Sequence, residues 1–164
     1  MNIQPQLKTF AGATLVGMHT QTSIANDNTP ALWQRFMPRR KEIQHPVSPN
    51  LISVQVYNPQ LKFRDFTHDT VWQKWATVQV SDTSNLPEGM DVLTIPAGEY
   101  AVFTYTGTPA TFGETLRYLF AEWLPAHNLR PDSTRPHFEV LGDKYKHNHP
   151  DSEEEVWVAV ATMP

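Results

Sequence analysis

An α+β fold is predicted for this chain: two pseudo-symmetric strand–helix–strand–strand repeats, with an antiparallel sheet backed by two helices. Three observations predict it. First, the run KTFAGATLVGMHT (8–20) resembles LTIPAGEYAVFTYTG (93–107) in pattern, each a β-rich stretch associated with an Ala-Gly step. Second, each run is followed by a polar stretch and then an amphipathic helix candidate. Third, each helix candidate is followed by two further strand candidates, so the same order of elements occurs twice.

The elements follow in chain order. The first helix candidate, PALWQRFMPRRKEI, opens on Pro30, which suits a first helical turn because its missing N–H would find no partner there. LISVQVYN (51–58) and KWATVQVS (74–81) are the strands that close the first repeat, about 7–81. The segment NPQLKFRDFTHDTVWQ between them reads as a loop with local turns, and 82–91 as a polar linker with Pro and Gly. The second helix candidate, TFGETLRYLFAEWLP, aligns Phe112, Leu116, Leu119, Phe120 and Trp123 on one face. Thr111 and Glu114 have capping-box spacing, and Pro125 limits the helix at its other end. RPHFEVLG (135–142) and EEVWVAVA (154–161) close the second repeat, about 92–161. Neither small sheet would be stable alone, so a single domain over 1–164 is expected.

Composition narrows the function classes. The chain has 164 residues, 40% apolar and 18% charged, which suits a globular protein. A formal charge of -4 argues against a general binder of nucleic acid or anionic membrane. The absence of Cys removes disulfides, thiol nucleophiles and zinc–thiolate sites. MNIQPQLKTF lacks the basic-then-apolar order of a signal peptide, and no apolar run approaches the roughly 20 residues of a membrane span. A cytoplasmic location is expected. No cofactor is implied: AGEYAVF is not a phosphate loop and no nucleophile-elbow motif occurs. His147 and His149 lack a third ligand at a familiar spacing, so no metal is expected. PRRK (38–41) reads as a solvated helix end and DSEEE (151–155) as an exposed turn.

One residue breaks the pattern of an ordinary core. In RPHFEVLGDKY (135–145), Glu139 interrupts an apolar strand. A carboxylate taken out of water is costly unless paired. Strand alternation separates Val156, Val158 and Val160 from Trp157, and Val78 and Val80 from Trp75. It also separates Val54 from Gln55 and Tyr57, and Phe138 and Val140 from Glu139. Assigning the aliphatic faces to the helices leaves Trp75, Trp157, Tyr57, Gln55 and Glu139 on the other side of the sheet. About a pseudo-twofold, these would line one groove, with a carboxylate on one wall and the Gln55 amide on the other. Aromatic rings with a carboxylate suit a lipophilic cation. Alternation alone leaves the other placement open, with Glu139 on a half-solvated sheet.

IPAGEYAVFTYTG, the helix ending FAEWLP, RPHFEVLGDKY and DSEEEVWVAV, together with LVGMHT…ALWQRFMPR…ISVQVY…KWATVQV, resemble the GyrI-like, AraC-type effector-binding domain. The resemblance runs from about Leu7 to Ala161. It implies two strand–helix–strand–strand units with a central ligand cleft. It implies multidrug sensing in transcription regulation, with a strand glutamate contacting the ligand. The matching position is Glu139, and the matching aromatics are Trp157, Trp75, Tyr57 and Tyr105. Unlike the regulators, this sequence has too few residues before Leu7 for a helix-turn-helix module, so direct DNA contact is not expected.

Three functions follow. The first is a stand-alone sensor or sequestering protein for a hydrophobic, cationic small molecule, with Gln55, Tyr57, Trp75, Tyr105, Glu139 and Trp157 as the site. The second is hydrolysis of strained cyclopropane-bearing toxins, which the resemblance also implies, with Glu139 as general base and Tyr105 orienting. The third is gyrase-inhibitor-like interaction with a protein. A homodimer through strand edges, or a separate regulator as partner, stays open.

Overall fold

The computed structural model describes residues 3–164. β1 (Gln6–Phe10) and β2 (Ala13–Thr22) precede α1 (Thr29–Phe36), which tightens into a 3-10 turn over Met37–Glu42. β3 (Leu51–Val56) and β4 (Trp72–Gln79) complete the first half. β5 (Asp91–Ile95), β6 (Gly98–Thr106), α2 (Pro109–Tyr118), a π turn (Leu119–Trp123), α3 (Leu124–Ala126), β7 (Leu129–Pro131), β8 (His137–Leu141) and β9 (Glu153–Thr162) form the second. The α+β class and the mostly antiparallel sheet with its two main helices are as the repeats predict.

Each run read as one strand at an Ala-Gly step is in fact two strands. The chain turns at Gly12, whose φ of +97° favours glycine, and again between β5 and β6. The first strands are then exchanged between halves. β1 pairs with β6 of the second half, and β5 pairs with β2 of the first. The sheet order β1-β6-β9-β8-β3-β4-β2-β5 therefore reads the same from either edge once repeat equivalents are swapped. The pseudo-twofold passes between β3 and β8, where Ser53 faces Glu139 and Gln55 faces His137. β7, absent from the sequence reading, adds to β9.

One face of the sheet carries the helices. Leu32 and Phe36 of α1 are fully buried against Val16, Met18, Ala76, Val78 and Val80. The second helical segment packs Leu119 and Leu124, with Phe112, Leu116, Phe120 and Trp123, over Ala101, Phe103, Tyr105, Val156, Val158 and Val160. α2 begins at Pro109, not at Thr111, so the capping-box reading is corrected. The Thr111 hydroxyl lies inside the first turn and meets the Tyr105 hydroxyl at 2.5 Å. Pro125 limits the segment as read: after the π turn, α3 runs only one residue past it, to Ala126.

Among the described residues no helix packs over the opposite face. It is closed by the curl of the sheet. Phe10 on β1 lies 5.0 Å from Phe138 on β8, although two strands separate them in the sheet. On a flat sheet that separation would be about 14 Å. Phe10, Tyr100, Phe138 and Trp157 pack together there with Leu15, Ile52, Val54, Trp75 and Ile95.

Candidate functional site

The two helices cover the outer strands and leave the helix-side face of the central pair, β3 and β8, between them. The register puts polar side chains at that position. Ser53 lies beside Ala76, Gln55 beside Lys74, and Glu139 beside Val156. Ser53, Gln55, Lys74, His137 and Glu139 thus share the helix side, and all are buried. Tyr57 follows Gln55 at the same parity, and Glu154 precedes Val156 at the same parity.

Register also corrects the expected groove. Trp75 sits beside Val54, and Trp157 beside Phe138, so both tryptophans point to the opposite face from Glu139. Their indole N–H groups donate to Gln73 (2.7 Å) and Glu155 (2.6 Å). Alternation within each strand is as read. The error lay in how β3 and β8 align with β4 and β9, where a slip by one residue exchanges the faces. Tyr105 is on the helix side, but its hydroxyl donates to the Thr108 carbonyl at 2.5 Å and contacts Thr111, which commits it to the start of α2.

Glu139 is therefore neither solvated nor free. The Gln55 amide donates to its Oε2 at 2.7 Å, and the Gln55 carbonyl accepts from Lys74 Nζ at 2.5 Å. The same ammonium lies 3.8 Å from Glu139 Oε1. Lys74, Gln55 and Glu139 form a buried chain from cation through amide to carboxylate. Burial lowers the pKa of Lys74, while Glu139, Glu154 and Asp27 oppose that shift by charge. Glu154 is pushed up to about 7, first by burial and then by the charge of Glu139, so near neutrality it holds its proton about half the time.

Aromatic rings close round this chain. Burial raises the Tyr57 phenol well above its ordinary range, and Glu139 raises it further. Tyr145 is raised by burial, then by Glu154 and Glu139. Phe63, from the 3-10 turn between β3 and β4, packs on Tyr57 (4.9 Å), His137 (5.6 Å) and Phe120 (5.2 Å). Trp72 lies 6.3 Å from Tyr57. Beyond Phe63 a groove of about 1340 Å³ opens between the 59–68 segment and α2, with Phe66, Leu116 and Phe120 in its wall. Glu139 does not line that groove. Phe63 lines the groove and packs on Tyr57 and His137 of the buried site.

Lys74, Glu154, Tyr145 and Phe63 were missed in the sequence. A signal existed for the first two. Lys74 shares parity with Ala76, Val78 and Val80, and Glu154 with Val156, Val158 and Val160. A charge on an otherwise aliphatic strand face is the same anomaly that drew attention to Glu139. Among the described residues no group of three or more His, Cys, Asp or Glu is placed to hold a metal ion.

His137 gives the site a pH signature. Its Nε2–H donates to the Asp132 carbonyl at 2.8 Å, and burial lowers its pKa to about 4. Unfolded, the imidazole would take up a proton near pH 6.5. Between these values the unfolded chain binds the extra proton, so stability falls as pH drops from about 6.5 to 4. The expected loss is on the order of 2–3 kcal/mol. Denaturant melts should show a smaller loss over that window for His137→Gln, which keeps a donor. Equal losses would contradict this placement of the titration.

A charged chain with aromatic walls, enclosed between two helices on a pseudo-symmetric sheet, is the architecture of a small-molecule binding domain. The model of the GyrI-like small molecule binding domain matches residues 3–161, and the chain belongs to that family. Over 119 residues it is 29% identical to the transcriptional regulator BrlR of Pseudomonas aeruginosa, covering 72% of this chain and 41% of that protein. The chain thus spans less than half the length of that relative. Among solved structures, SAV2435 bound to tetraphenylphosphonium is similar at a TM-score of 0.70 and 16% identity, covering 96% of this chain and 94% of that one. The C-terminal domain of EcmrR gives 0.72 at 13% identity, over 99% and 100% of the two chains. A hydrolase encoded by lin2189 from Listeria innocua gives 0.64 at 12% identity, over 96% and 92%. At these identities the three structures share the fold. No helix among the described residues is long and apolar enough to cross a membrane.

Proposed function

We propose that the chain binds a hydrophobic, cationic small molecule between its two helices, with Glu139 supplying the charge and Tyr57, Tyr145 and Phe63 the walls, as a sensor or sequestering module. The observation that carries this reading is the buried Glu139 carboxylate among aromatic rings at the pseudo-twofold. A carboxylate held there attracts a cation strongly because water does not screen it, and the ring faces add cation–π attraction. The tetraphenylphosphonium bound by SAV2435, a protein of the same fold, supports the ligand class. Movement of Phe63, which lines the groove and packs on Tyr57, would join the groove to the carboxylate. The test is a titration with tetraphenylphosphonium followed by tryptophan fluorescence, since Trp72 neighbours Tyr57. Saturable quenching is expected. No saturable change, by fluorescence or calorimetry, would contradict the reading.

Glu154 favours a second reading. A carboxyl near pKa 7 beside an ammonium suits a general base acting on water. Under this reading the chain hydrolyses a strained cyclopropane-bearing compound, with Glu154 rather than the hydrogen-bonded Glu139 taking the proton. Product analysis during the same titrations, with cyclopropane-bearing compounds added as substrates, decides it. Compounds that bind and are recovered intact would count against turnover.

A further inference from the structure

A cation site with its carboxylate already matched by an ammonium of the same protein poses a problem for any incoming cation. Lys74 reaches the site from β4. Its Nζ donates to Gln55 Oε1 at 2.5 Å and stands 3.8 Å from Glu139 Oε1, and the side chain is only 10% exposed. The Gln55 amide is oriented to serve both ends, with its oxygen to the ammonium and its N–H to the carboxylate. Stability is a weak reason for this arrangement. Buried ion pairs can often be replaced by apolar side chains at little cost or with a gain. Along β4 the same face continues into aliphatic Ala76 and Val78, while Gln55 and Thr20 are the cross-strand neighbours of Lys74. A lysine is also suited to movement, because its compact charge rides on a flexible four-carbon stem. A second acid is within electrostatic reach, since Glu154 as well as Glu139 acts on Lys74.

We propose that Lys74 is a resident counter-cation: it holds the ligand's charge position in the empty protein, and a bound cation displaces its ammonium from Glu139 toward Glu154. This rests on reading Glu139 as the cation site. It assigns Lys74 the role of setting affinity and selectivity. A weakly bound cation cannot exchange with the tethered ammonium, while a large aromatic one gains enough from ring contacts to do so. The balance closes when Glu154 is ionised: the ligand cation pairs with Glu139 and the Lys74 ammonium with Glu154, and any proton held by Glu154 is released to solvent as the ammonium arrives.

Lys74→Met keeps the stem and removes the charge. Tetraphenylphosphonium titrations at mildly alkaline pH, with folding checked by thermal melts, are expected to show at least about tenfold tighter binding than the wild type. The gain should vanish in Lys74→Met/Glu139→Gln, because the competition acts through Glu139. If the wild type binds and Lys74→Met binds no tighter, the exchange is overturned while the cation site stands. If the gain persists without Glu139, the exchange is likewise overturned. If neither wild type nor Lys74→Met binds, the cation site itself fails, and this inference with it. Should Lys74→Met not fold, Lys74→Arg assigns the Lys74 Cε resonance in protein made with isotope-labelled lysine. Saturating tetraphenylphosphonium must then shift that resonance in the wild type, and an unmoved resonance overturns the proposal.

Discussion

Gly17→Ala is expected to destabilise the protein by about 3 kcal/mol or more, the upper end for an overpacked interior. Gly17 lies within β2, between β4 and β5 and opposite Thr77. A Cβ built there would stand 1.9 Å from the Ala76 carbonyl oxygen and 2.8 Å from the Thr77 Cα. These are backbone atoms of a paired strand and cannot turn aside as a side-chain end would. Relief requires β2 and β4 to part, which breaks ladder hydrogen bonds and opens the contact of Val16, Met18 and Ala76 with α1. A thermal melt should fall by roughly 6–12 °C for a chain of this size. Gly113→Ala is the control: it lies in α2 with nothing within 4 Å of an added Cβ. There alanine, the better helix former, should be neutral or stabilising. An unchanged melt for Gly17→Ala would mean that the strands do not approach as described.

Glu139→Gln is expected to weaken tetraphenylphosphonium binding by about tenfold or more, about 1.4 kcal/mol, the scale of a lost charge-assisted contact. The substitution keeps shape and removes charge. Gln55 can re-pair by amide-to-amide hydrogen bonding, and Lys74 retains the Gln55 carbonyl and the nearby Glu154, so the fold should survive. Glu154 then takes on the remaining attraction. Burial keeps the Glu154 pKa raised, but the loss of the Glu139 charge brings it below its wild-type value of about 7, so residual binding in Glu139→Gln should strengthen as pH rises through a window below 7. Unchanged affinity in the variant, at constant fold, would remove Glu139 from the site.

How far these features were legible in the sequence depended on their range. The helical face of Leu116, Leu119, Phe120 and Trp123, and the alternation of Val156, Val158 and Val160, are local periodicities, and both were read directly. Glu139 stood out for the same reason, as a charge within a short apolar strand. The relative register of strands was not legible. β3 and β4 are joined by a segment of 15 residues, 57–71, and no tight turn sets their alignment. Hence Trp75 and Trp157 were placed beside Glu139, when Val54 and Phe138 are their neighbours. The exchange of β1 and β5 between halves was hidden likewise, because Gln6↔Val102 and Ala13↔Ile95 are long-range pairings with no local trace. Lys74 escapes notice because it is the first residue of the strand read as KWATVQVS, directly after the 58–73 loop, where a charge is unremarkable. Only its parity with Ala76 and Val78 marks it as buried.

The central claim is that charge at Glu139, and not apolar shape alone, selects the ligand. The most direct measurement is a pair of calorimetric titrations of the wild type, one with tetraphenylphosphonium and one with the neutral triphenylphosphine oxide, repeated on Glu139→Gln. The account predicts preference for the cation by about tenfold or more in the wild type, collapsing toward parity in the variant. Equal affinities for cation and neutral compound in the wild type, or a cation preference that survives in Glu139→Gln, would contradict it.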